Sequence, residues 1–368
     1  MIKLLVLIFI LINPINCLAA DFSTEIYKDL EIYDYFNIES EIFPELNIEK
    51  LILSFENNEE LNVNEILKSI TEYFIKAITS HYKILAVIVI TGFAISITNT
   101  ISANDNSISH ITFNISYSLY AILIISLFLN CIKPAKEMFD CIIILIKTTM
   151  PLFLSLLNLS GGITTSSMIT SSLLMLIEVL TQIINVLVFP LIIASVTVSV
   201  ANNMSDKINI GTLVNLMRQS AKWILGFTLA LYTGFYGVYG LVGSSLDNRI
   251  GKAARYAIGR GIPVVGGVVS ESIEAVMTTF GAVRNITGVA GIVMISIWGL
   301  VPIIKTAVYI LIFKFSAIIL EPVSDKRIIS LTNETSEAIS LIMSVLIAVC
   351  LLFVGCVGIL LITGNFID

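Results

Sequence analysis

From Lys83 to the C-terminus the sequence is a succession of apolar runs. Roughly twenty apolar residues, rising about 1.5 Å each along a helix, cover the hydrocarbon core of a bilayer. The runs 111–131, 213–242, 303–320 and 339–362 meet that length or nearly so, and 84–101 does if slightly extended. Charged residues make up only 13% of the chain, about half the ~25% of a soluble domain. The chain is therefore read as an all-α, polytopic helical membrane protein. Its few charges at membrane depth become functional candidates by default.

The remaining runs are shorter or interrupted. Residues 141–159 contain Lys147 and Pro151, 171–188 contain Glu178, and 190–200 span only as a continuation of the helix before them. Charges near Lys133, Lys136 and Arg249 sit awkwardly with strict alternation and a positive-inside bias. Residues 141–159 and 263–280 are accordingly expected to be broken or re-entrant helices.

The N-terminal part is different. Met1 to Ala19 has the Lys3, apolar core and small-residue cut site of a secretory signal. Residues 21–72 hold 14 acidic residues against Lys28, Lys50 and Lys68. The net charge of −6 thus belongs to this arm and not to the apolar body. Residues 65–83 read as an amphipathic helix with a stripe of Ile66, Leu67, Ile70, Phe74, Ile75 and Ile78. It would lie on the membrane surface or form the first face of a soluble hairpin. The expected organisation is a signal peptide (1–19), an acidic extracytoplasmic segment (20–83), two transmembrane helices (84–131) and two repeat-like units (141–245 and 249–363). The repeat rests on Pro151 and Pro190, which are 39 residues apart, as are Pro263 and Pro302.

Within this frame several residues stand out. Gly261, Pro263, Gly266 and Gly267, with Pro151, Pro190 and Pro302, mark expected helix breaks. A break at membrane depth must face protein or a cavity, because freed backbone groups need partners. Glu271 and Glu274 share a helix face, and Arg284, Lys305 and Lys314 follow. Glu178 sits within an apolar run, with Lys305 or Lys314 as an expected partner. Such charges either line a polar passage or form structural ion pairs, since an unpaired buried charge is costly. Arg249, Lys252, Arg255 and Arg260 fall on one arc of a helix that would suit anionic lipid or an acidic partner. Gly234, Gly237 and Gly240 recur every three residues and offer a smooth face for a second helix.

Other chemistry finds little footing. There is no phosphate-binding glycine loop, no zinc-type histidine pair and no histidine-triad signature. No cofactor or metal is expected, and the acidic balance with no basic domain speaks against nucleic acid. Cys131 and Cys141 flank an expected loop where pairing is conceivable.

The C-terminal half resembles a known family. The residues that carry the likeness are Gly259-Arg260-Gly261-Ile262-Pro263-Val264-Val265-Gly266-Gly267 with Ser270-Glu271, then Thr287-Gly288-Val289-Ala290-Gly291 and Pro302-Ile303-Ile304-Lys305. Leu320-Glu321-Pro322-Val323-Ser324-Asp325-Lys326-Arg327-Ile328 closes the set. In this order they resemble the stage III sporulation protein AE family of endospore-forming bacteria, most closely from about Met217 to Asn365. The resemblance implies a membrane component of a channel or secretion-like complex between mother cell and forespore. It implies a place in the outer forespore membrane and a role in late forespore gene expression. The implied partners are the other stage III sporulation A-operon proteins and forespore partner Q. A secondary transporter and a structural anchor for partner rings are the alternative readings of the same residues.

Overall fold

The computed structural model describes residues 63–102, 106–159, 175–204, 210–235 and 299–365. These residues form six helices, and no strand occurs among them. They are α1 (Val63–Ser102), α2 (Asn106–Leu159), α3 (Met175–Met204), α4 (211–235), α5 (Gly299–Leu320) and α6 (Lys326–Asn365). All but α4 contain a stretch long and apolar enough to cross a membrane. The all-helical, multi-pass expectation holds.

Several boundaries differ from the sequence reading. The expected amphipathic helix and first span are one continuous helix, α1, of 40 residues. It packs through Ser69, Tyr73 and Ala77, one residue per turn, while Ile75 and Ile78 of the expected stripe are exposed. The expected loop at 131–141 does not exist, because α2 runs straight through it with Pro134 and Pro151 inside. The reason is legible in the packing. Cys131, Ile132, Ala135, Met138, Phe139, Ile142 and Ile143 are buried, whereas Lys133, Lys136, Glu137 and Asp140 point outward. That is a helical three-four alternation, and burying its apolar side outweighs the backbone hydrogen bond that proline removes. Cys131 and Cys141, ten residues apart on one helix, stand about 15 Å apart along its axis. They are free thiols, well beyond disulfide reach.

Neither Pro151, Pro190 nor Pro302 ends a helix. Pro190 follows a π-turn, Ile184–Val188, in which Phe189 N–H bonds to Ile184 O. The wider turn absorbs the register change, so α3 continues through residues 190–200 to Met204. Pro302 lies in α5, where Thr306 Oγ1 donates to Pro302 O at 2.6 Å.

α6 is the central helix. Its buried residues cover more than half its circumference, from Leu341, Ala348 and Leu352 on one flank through Leu331, Val345 and Val349 to Thr332, Ser336 and Ile339 on the other, as expected for a helix surrounded by neighbours. It packs against α2 and α3, and α1 packs against α2. The α5–α6 hairpin turns at 321–325, where Ser324 N–H bonds to Leu320 O at 2.8 Å. Asp325 caps α6, its carboxylate accepting the Arg327 N–H at 2.9 Å. This turn meets α1, since Ser96 Oγ donates to Ser324 Oγ at 2.9 Å. Arg327 lies 4.3 Å from the ring centre of Phe113 on α2. The last turns of α1, the first turns of α2 and the α5–α6 turn thus meet at one end of the bundle.

Candidate functional site

The most concentrated chemistry lies where α3, α4 and α6 meet. α4 turns Val214, Arg218, Ala221, Leu225, Thr228 and Tyr232 inward, at steps of three and four. Arg218 is the one cation in that series, and its side chain is only 5% exposed. Its guanidinium donates to Glu337 Oε2 at 2.5 Å and to Ser199 Oγ at 3.1 Å, and it lies 3.3 Å from Glu334 Oε2. Glu334 also accepts from Ser330 Oγ at 2.9 Å. Glu337 is the open end of the cluster, with its side chain 59% exposed. A guanidinium fork suits this task, because a fixed plane of donors can reach several acceptors at once.

Polar residues extend from the cluster through the packed interior. Ser199 Oγ donates to Ser195 O, and Asn203 Nδ2 donates to Ser199 O. Tyr120 Oη and Thr332 Oγ1 share a hydrogen bond of 2.7 Å, and Tyr117 Oη donates to Val200 O at 3.0 Å. Further along α4, Tyr232 Oη donates to Leu352 O at 2.8 Å and contacts Cys356 Sγ at 3.3 Å. These hydroxyls tie helices together across an apolar interior, where an unsatisfied polar group would be expensive.

Beside the cluster a groove of about 740 Å³ opens to the outside. α4 supplies most of its lining, with Asn215, Gln219 and Lys222 at one end and Trp223, Gly226, Phe227 and Ala230 at the other. Arg218 and Glu337 also line it.

The expected site residues distribute unevenly. Glu178 does not pair with Lys305 or Lys314. Its carboxylate takes a short contact from Lys147 Nζ on α2 and a hydrogen bond from Gln182 Nε2 at 3.1 Å. The pair is half-exposed, and Lys147 lies beyond the apolar stretch Ile111–Ile144. Lys305 is half-buried and Lys314 exposed, and neither forms an ion pair among the described residues. Gly234 lies exposed on α4. Gly237, Gly240, Arg249, Lys252, Arg255, Arg260, Gly261, Pro263, Gly266, Gly267, Glu271, Glu274 and Arg284 lie outside the described residues, as does the acidic arm before Val63. No cluster of metal-ligating side chains occurs among the described residues.

Arg218, Glu334 and Glu337 are the residues that sequence reasoning missed as a site. Starting the last apolar run at Ile339 left both glutamates outside it, whereas α6 begins at Lys326. The available signal was their spacing of three on a helix, matched by Arg218 at the start of another helix, where its three-four spacing from Val214, Ala221 and Leu225 puts it on the apolar side and Lys222 off it.

Comparison with known proteins gives a consistent answer. The family model described as Stage III sporulation protein AE matches residues 46–364. The chain is 24% identical over 326 residues to the Stage III sporulation protein AE of Bacillus subtilis (strain 168). That alignment covers 88% of this chain and 82% of the relative. No solved structure matches significantly.

Proposed function

The chain belongs to the stage III sporulation protein AE family, and on that footing we propose that it is the polytopic membrane component of a channel or secretion-like complex between mother cell and forespore. Membership itself implies a role in sporulation. The proposed place is the outer forespore membrane, and the proposed partners are the other stage III sporulation A-operon proteins and forespore partner Q. The cationic series Arg249, Lys252, Arg255 and Arg260 is its proposed contact with anionic lipid.

The observation that carries the reading is the family match across residues 46–364. The bundle's character supports it. Five apolar helices fit a multi-pass protein, and α4 adds a helix whose outer face is polar at one end. A polar face beside hydrocarbon calls for a partner, as a component of a larger assembly would provide.

The test is deletion of the gene in its own sporulating host, with complementation by the intact chain. Engulfment followed by loss of late forespore reporter expression, restored by complementation, is the expected result. Unchanged reporter expression and spore yield in the deletion strain would overturn the proposal. Co-purification of the other stage III A-operon proteins from sporulating cells tests the assembly part directly.

A further inference from the structure

The apolar stretches of α1 and α2 run Lys68–Ile101 and Ile111–Ile144, 34 residues each. At about 1.5 Å per residue each is roughly 50 Å long, well beyond the ~30 Å of a hydrocarbon core. Both helices must therefore leave the hydrocarbon, and their outward faces record where.

One end of this part of the bundle is fixed by the contacts of Ser96 with Ser324 and of Phe113 with Arg327. The α5–α6 turn exposes Glu321, Asp325 and Lys326 there, which places that end at water. Moving away from it, the outward faces are first apolar, with Val87, Ile90 and Phe93 exposed on α1 and Ile115, Leu119 and Ile122 on α2. Lysines follow on three helices. Lys76 stands about 20 residues from Ser96, Lys133 about 20 from Phe113 and Lys305 about 19 from Ser324, so each lies roughly 30 Å from the same end. The ring contact of His81 with Tyr309, centres 5.3 Å apart, sets the register of α1 against α5 about one turn short of Lys76 and Lys305. Lys136 is exposed one turn beyond Lys133. Lys83 leans toward the same level, because helical side chains tilt toward the N-terminus of their helix. None of these lysines forms an ion pair among the described residues. The exposed carboxylates of α1 and α2, Glu72, Glu137 and Asp140, come after the lysines.

We infer that Lys76, Lys133, Lys136 and Lys305 form a girdle that binds the headgroups of anionic phospholipid, and that α1 before this level and α2 after it stand outside the hydrocarbon. The order apolar, cationic, mixed charge is that of hydrocarbon, phosphate layer and water. A lysine stem covers apolar surface while its ammonium reaches the headgroups, where anionic lipid attracts it. Depth is what the three helices share, one hydrocarbon thickness from a common end, and a bilayer imposes a common depth where an acidic protein need not. Lys314, about 10 residues from Ser324 and thus roughly 15 Å from that end, lies too deep to join the girdle. The inference holds for either orientation of the chain across the membrane. It does not depend on the proposed place in a sporulation complex.

Spin-labelled phosphatidylglycerol and phosphatidylcholine, compared at the surface of the full chain in phosphatidylcholine vesicles, test it. Phosphatidylglycerol is expected to be preferred by roughly threefold or more. Lys76→Gln, Lys133→Gln, Lys136→Gln and Lys305→Gln combined should bring the preference close to parity, arginine at the same four positions should keep it, and Lys314→Gln should leave it unchanged. A preference that survives the four glutamines overturns the inference, as does its loss in Lys314→Gln alone. No preference in the native chain also overturns it, and makes an acidic protein surface the counter-charge. The level is read separately. A water-soluble maleimide should label Asp140→Cys, above the background of the native cysteines, and spare Leu119→Cys, whereas equal labelling of the two would remove the boundary.

Discussion

Arg218 with Glu334 and Glu337, and Lys147 with Glu178, are both contacts between a cation and carboxylates on helices far apart in sequence. Their surroundings differ sharply. The Arg218 side chain is 5% exposed, whereas those of Lys147 and Glu178 are 42% and 48% exposed. Arg218 joins α4 to α3 through Ser199 and to α6 through two carboxylates. Lys147 joins α2 to α3 through one carboxylate. The difference teaches that a charge in an apolar run gains its role from the number of helices it ties and from its access to water. An interior charge must be matched or it opposes folding. A rim charge can be released to solvent or headgroups at little loss.

The largest expected effect comes from removing the interior cation. Arg218→Leu keeps the volume roughly constant but strands Glu334, which has only partial access to the outside. The expected loss is about 3–5 kcal/mol, typical of breaking one side of a buried pair. Melting of the full chain in mild detergent, followed by size exclusion, measures it. Arg218→Lys should recover only part of the loss, since a single ammonium cannot reproduce the fork across Ser199, Glu334 and Glu337. Equal stability of Arg218→Leu and the native chain would break the comparison.

A smaller effect is expected where α4 and α6 touch without charges. A Cβ on Gly355 would fall 2.7 Å from Tyr232 Oη, and Tyr232 is itself 4% exposed. Gly355→Ala should therefore destabilise by about 1–3 kcal/mol, as overpacking does. Tyr232→Phe removes the donor to Leu352 O. That carbonyl belongs to the body of α6, so no buried group is left wholly without a partner. A loss of ~1 kcal/mol is expected, nearer ~0.6 by the measure of membrane bundles. The double variant should lose less than the sum, because Tyr232→Phe removes the atom that Gly355→Ala strikes. Strict additivity in melting midpoints would show that the two side chains do not meet.

The legible and illegible parts of this molecule divide along physical lines. The apolar runs 84–101, 111–131, 303–320 and 339–362 all lie in helices. Hydrophobic length is a local property and survives without knowledge of neighbours. The course of α2 was misjudged because Lys133-Pro134 and the charges after it look like a loop. Their spacing, however, puts every charge on the side opposite Phe139 and Ile142. Proline signals locally, while the three-four alternation signals a surface that only a neighbouring helix can reward. The partner of Glu178 was equally hidden. Lys147 is 31 residues away, and nothing local distinguishes it from Lys305 or Lys314. The Arg218 cluster spans still greater separations, 119 residues to Glu337. Such pairings are fixed by the packing of whole helices.

The smallest effect is expected at the rim, and it makes the sharpest test of the comparison. Glu178→Gln keeps the shape of the side chain and can still accept from Lys147 and accompany Gln182. Lys147→Met keeps the long apolar stem that covers the helix surface. Both ends of this pair reach the outside, so neither variant leaves a charge enclosed. Each should melt within the reproducibility of the native curve, and the two together should add nothing further. The measurement is the same detergent melt used for Arg218→Leu, which places both sites on one scale. A loss at Glu178→Gln as large as that at Arg218→Leu would mean that exposure on the single chain misstates its surroundings. The rim pair would then be covered in the assembled membrane form, and Glu178 would move from the surface of this bundle to an interface. A small loss, by contrast, leaves the interior cluster as the charge contact on which the α3–α4–α6 junction depends.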